Sequence, residues 1–213
     1  MTTTTADIVD LITSPRLPRG KLEHAGLELS LFAEAAKAGA DSKVTAVLRK
    51  IAPDTRDPQW LAWINATAAM AAEHGPAWVA VCAVATALGQ ETDDAADTVA
   101  IGYAVADRLA SDLAGAEGAG WSVAAVAGRI GAGAAAARAL RLPAAAARNT
   151  VGLCATQAAG LAKAENAAAE LQTGKAAADA IEAAFLSRCG FTSPQQSLEG
   201  RRGLFALLLR TCT

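Results

Sequence analysis

From Lys175 to Arg188, apolar and polar side chains recur at helical spacing. Ala177, Ala178, Ile181, Ala184 and Phe185 share one face, while Lys175, Asp179, Glu182 and Arg188 fall mostly on the other. Gly190 stands where a helix ends in a left-handed cap. Ser193 is followed by Pro194 and, three positions on, by Gln196, the pattern of a capping box with proline at the first helical position. The spacing therefore predicts two helices meeting at a sharp corner.

The rest of the chain reads the same way. Residues 1–7 are expected to be disordered, and Asp7 to cap a short helix ending at Ile12. After the breaker-rich link 14–20, helices are predicted over 21–38, from Asp41 or Ser42 to about Ile51, and from Pro58 to about Glu73 with Asp57 as cap. Another follows Gly75-Pro76 and stops before Gly89. An acidic start at Glu91–Asp94 suits the next helix dipole. Residues 115–120 read as a loop. Long alanine-rich helices follow from Trp121 to about Leu140 and from Pro143 to near Ala162. Residues 163–173 fit either a helix or a helical turn with a loop. No segment alternates with β-branched enrichment, so no strand is predicted. The chain reads as all-α, one domain of roughly eight to ten helices.

Composition sharpens this picture. Hydrophobic residues make up 53% of the 213, yet aromatics only 4%, so the apolar content is largely alanine. Alanine favours helix and close helix approach but buries little area per side chain. A subunit interface would add burial, and a homodimer is expected. The net charge of −2 without a basic block argues against nucleic acid. Mean hydropathy is +0.25, but the richest stretch, 130–161, is broken by Arg138, Arg141, Pro143 and Arg148 and is no membrane span. The N-terminus lacks the basic and apolar regions of a secretion signal. Cys82, Cys154, Cys189 and Cys212 have spacings of neither a zinc site nor a redox pair and read as reduced thiols. A cytoplasmic protein without a metal is expected. The glycines at 128, 131 and 133 are preceded by no strand, so they do not form a phosphate loop.

Four pieces in order carry a resemblance. They are Gln157-Ala-Ala-Gly160-Leu161, Gly174-Lys-Ala-Ala177, Gly190-Phe-Thr-Ser-Pro194 and Leu198-Glu-Gly-Arg-Arg-Gly203. Together they resemble the helical domain of the MmgE/PrpD family, which includes 2-methylcitrate dehydratase and cis-aconitate decarboxylase. Asn65-Ala-Thr-Ala-Ala69 is similar to a family Asn-Gly-Thr-Ala-Ala segment with its glycine replaced. The resemblance implies a multi-helix bundle and a cofactor-independent lyase or isomerase acting on a small carboxylate. It also implies a second, α+β lid domain. These 213 residues leave no room for that lid, so dimer packing or a separate lid-supplying chain is expected to cover the site.

Such chemistry needs an acid/base group, cations for carboxylates and a closed pocket. His74 resembles a family histidine by position, and Glu73 beside it is placed to orient it. The plainer reading is a surface histidine at a helix end. Ser122 stands where the family's Gly-Trp-His segment has histidine. The family lysine falls at about Ala169, and a further family histidine at Gln172. Glu73, His74 and Ser122 are thus the catalytic candidates; Gln157, Lys175 and Arg201 are the substrate-binding ones. Against each stands a structural role: Gln157 satisfying backbone, Lys175 pairing with Asp179 on a solvated face, and Arg201 fixing a loop with Glu199. The missing aspartate-rich loop and replaced groups equally fit a non-catalytic homologue, a dimeric scaffold or partner subunit.

Overall fold

The computed structural model describes residues 2–72, 74–89 and 92–209. Among them run ten α-helices and one 3-10 helix: α1 (Thr5–Thr13), α2 (Arg19–Ala38), α3 (Lys43–Ile51), α4 (Pro58–Met70), α5 (Val79–Ala87), α6 (Thr92–Asp112), the 3-10 helix Ala114–Ala119, α7 (Val123–Ala139), α8 (Ala144–Thr156), α9 (Ala167–Arg188) and α10 (Leu204–Leu208). Trp121 and Leu161 form one isolated bridge. No described helix is long and apolar enough to cross a membrane.

The centre is α7. Every residue from Ala125 to Ala137 is buried, as expected of a helix whose small side chains run all round it. It packs against α1, α5, α6, α8 and α9. Where α6 crosses it, Gly102 and Gly131 face each other. A Cβ on Gly131 would lie 2.7 Å from the Gly102 carbonyl oxygen, and one on Gly102 would lie 2.9 Å from that of Gly131. Backbones approach this closely only because neither residue has a side chain. The core is broad and alanine-built, with Phe32 its largest fully buried side chain.

Local chemistry sets several helix starts. Ser42 and Asp57 cap α3 and α4, with Pro58 at the first turn of α4. Helix α1 begins at Thr5 rather than after Asp7. Thr4 is its cap and Asp7 closes a capping box back onto Thr4. Tertiary bonds hold that end: the Thr5 backbone N–H (3.0 Å) and hydroxyl (2.8 Å) donate to Glu199. Arg138 secures the other end, donating to the carbonyls of Ile12 (2.9 Å) and Ser14 (2.6 Å) and pairing with Asp97 at 2.7 Å.

Other expected elements differ as well. Helix α4 ends at Met70, earlier than the expected Glu73 and before the Gly75-Pro76 breaker. Glu91, in the expected acidic start of α6, lies outside the described residues. The expected loop at 115–120 is a 3-10 turn ending at Gly120 in left-handed backbone. Helix α8 stops at Thr156, because Arg129 captures the Gln157 carbonyl and the chain then turns at Gly160. Ser193 starts no helix. Its N–H donates to Asn149 at 3.2 Å, which takes the group a capping box would use. The segment 195–200 makes turns instead, and buries Leu198. Gly190 ends α9 in left-handed backbone as expected.

Candidate functional site

Helices α4, α7 and α9 and the start of α5 line a partly open pocket of about 260 Å³. Its walls include Met70, Trp78, Ala125, Gly128, Thr173 and Ala176. Trp78 is fixed from outside the pocket. Its indole N–H donates to Asp107 at 2.7 Å and its backbone N–H to the Tyr103 hydroxyl at 3.2 Å. Tyr103 in turn donates to Glu28 at 2.7 Å, and Glu28 also accepts from Ala77 at 3.2 Å. The Trp78 indole lies against α7 at Gly128. Apart from that committed indole, Thr173 brings the one polar side chain among the described residues of the lining.

Beside this pocket lies a buried ion network. Arg129, one residue on from Gly128, sits 3.2 Å from Asp179, and both are almost wholly buried. Lys175 pairs with the other carboxylate oxygen of Asp179 and lies over the Trp63 ring, 5.5 Å from its centre. Arg129 also donates to the carbonyls of Gln157 and Ala159. Burial pushes the pKa of Arg129 down, and that of Lys175 likewise. Gly174 lets α9 approach α4, since a Cβ there would meet the Thr67 hydroxyl and lie 2.8 Å from Trp63.

The candidates from sequence fall in different places. Glu73 lies outside the described residues. His74 is exposed in the turn after α4. Ser122 caps α7, accepting from the Ala125 N–H at 3.2 Å, and its own N–H donates to Gly160 at 3.0 Å. Gln157 is the residue after α8, its carbonyl on Arg129 and its side-chain oxygen buried without a hydrogen-bond partner. Arg201 is exposed. So Gln157 and Lys175 meet through Arg129 and Asp179, whereas His74 and Arg201 stand apart from them. The Lys175–Asp179 pair is present, but not on a solvated face as expected. Asp179 is 5% exposed because α7 covers that side of α9. Ser122 and Gln172 do converge: both flank Gly160, and Gln172 accepts from the Leu161 N–H at 3.3 Å.

Arg129 was not among the sequence candidates. Its signal was present, a lone charge inside a run of glycine, alanine, valine and isoleucine. Such a charge is buried only when paired. No group of three or more His, Cys, Asp or Glu among the described residues is arranged to hold a metal ion.

The profile of the MmgE/PrpD N-terminal domain matches residues 25–212. The match spans most of the sequence, and the chain belongs to the MmgE/PrpD family through that helical domain. No curated protein matches it.

Proposed function

We propose that this MmgE/PrpD helical domain acts as a non-catalytic, self-associating scaffold or partner subunit. The observation that carries the reading is the state of the cations beside the pocket. Arg129 and Lys175 both pair with Asp179, and the pocket wall itself is apolar. Proton abstraction beside a carboxylate needs a free base and cations facing the substrate. Neither faces this pocket among the described residues. The reading keeps a homodimer as the working assembly, with a family subunit carrying the lid domain as the alternative partner.

A second reading is a lyase or isomerase of dehydratase type, acting without cofactor on a small carboxylate through His74, Glu73 and Ser122. Family membership supports it, as does the nearness of Ser122 and Gln172 across Gly160.

Native mass spectrometry of the chain isolated from its own cells separates the two. The scaffold reading expects a complex of two chains, or of this chain with a lid-bearing subunit, and no turnover. A co-purified di- or tricarboxylate that the protein dehydrates or decarboxylates, with activity lost in His74→Ala, overturns it.

A further inference from the structure

The pocket between α4, α7 and α9 has a chemistry of its own. We propose that it binds a small uncharged molecule with an aromatic or hydrocarbon body, held by one hydrogen bond to Thr173, and that it rejects carboxylates. This goes beyond the scaffold reading, since a ligand can be held whether or not the chain self-associates.

Size and lining carry the first half. At about 260 Å³ the pocket exceeds what one aromatic ring needs; an apolar cavity of about 150 Å³ is enough to take up benzene. Trp78 and Met70 both line it, and the unbranched thioether of Met70 adapts to an apolar guest. Trp78 is held in place by Asp107 and Tyr103 before any ligand arrives. A preformed wall spares the ligand the entropy of ordering it.

Charge carries the second half. A carboxylate entering an apolar site loses its hydration and must find a cation or several donors in return. Arg129 directs its guanidinium to Asp179 and to the Gln157 and Ala159 carbonyls. Lys175 is on Asp179 as well. Drawing either away would break an ion pair on a buried carboxylate. Thr173 offers one hydroxyl, which suits an alcohol, phenol or carbonyl rather than an ion.

The sequence supplies a clean reporter. The chain has two methionines, Met1 and Met70, so protein labelled with 13C at the methionine methyls gives two resonances. Benzyl alcohol, benzoate and citrate are titrated in turn. Benzyl alcohol is expected to move the Met70 methyl saturably and leave Met1 in place. Benzoate, with the same ring, is expected to bind at least about tenfold more weakly, the signature of an unpaired charge, and citrate not to move Met70 at all. Ala124→Phe fills the pocket from an exposed position and is expected to abolish the shift. Thr173→Val guards against a folding artefact in that variant. It should weaken benzyl alcohol severalfold and leave toluene unchanged. A Met70 shift by benzoate or citrate at equal or lower concentration overturns the proposal. So does a Met70 resonance that benzyl alcohol never moves, or a folded Ala124→Phe protein that binds as before.

Discussion

Asp179 holds two cations at once, and its neighbours show what that is worth. Taking a charge into a helical core costs several kcal/mol unless a partner and hydrogen bonds replace water. Arg129 is 3% exposed and survives there on one carboxylate and two carbonyls. Asp179→Asn removes the charge and leaves the guanidinium buried. We expect a loss of about 3–5 kcal/mol, measured by urea unfolding; a change within error would mean that Arg129 already escapes to solvent. The thiols give a second test at this scale. Burial pushes both Cys82 and Cys154 up to about 12, so neither is a thiolate near neutrality. Cys189 is exposed. Alkylation of folded protein at about pH 8 should label Cys189 and spare Cys82 and Cys154; peptide mass mapping reads this directly, and early labelling of Cys154 would show that α8 opens readily. Cys212 lies outside the described residues. Buried thiols were legible in the sequence from their apolar surroundings, whereas the partner of Arg129 lies 50 positions away and no local pattern reports it.

Helix pairs in this fold are set by where side chains are missing. The same substitution, glycine to alanine, should therefore change sign with position. At Gly26 nothing lies within 4 Å of an added Cβ, so alanine should stabilise α2 by up to about 1 kcal/mol through helix propensity. At Gly131 the added atom would lie 2.7 Å from a backbone oxygen and 2.8 Å from the Ala106 Cβ. Backbone cannot swing aside as a long side chain can. Overpacking of about 1–3 kcal/mol should then exceed the propensity gain and lower the melting temperature, as differential scanning calorimetry would show. Two stabilised variants, or a Gly131→Ala protein that melts as the wild type does, would refute the close α6–α7 crossing. Most of these elements were legible beforehand, because caps and breakers are local: Ser42, Asp57 with Pro58, Gly89 and Gly190 all act within a turn. The failures came where a distant group intervened. Ser193 has a capping-box sequence, but Asn149 on α8 takes its N–H. Asp179, on the polar stripe of α9, reads as solvated, yet it is buried against Arg129 of α7. Amphipathic spacing shows that two faces differ, not that the polar one meets water.

An alanine core has a consequence for the whole molecule. Each buried side chain removes little area from water, so many close contacts replace a few large ones. Larger apolar groups that would deepen the core elsewhere are partly outside it here. Leu27 (65% exposed) and Leu31 (44%) lie a helical turn apart on α2, and Val47 and Ile51 do the same on α3. Isolated surface leucines are ordinary, but pairs at i and i+4 make a ridge that a second chain can cover. Both helices pack against α4, so neither exposed ridge is on the side that meets the core. If self-association buries the α2 ridge, analytical ultracentrifugation should give twice the chain mass of 21.5 kDa. The double variant Leu27→Glu, Leu31→Glu should then return the single-chain mass while keeping its helical circular dichroism, since neither side chain supports the core. A wild-type protein that sediments at the single-chain mass at every concentration would remove self-association from the scaffold reading. A dimer that survives the double variant would move the interface away from α2, with the α3 pair the next surface to charge.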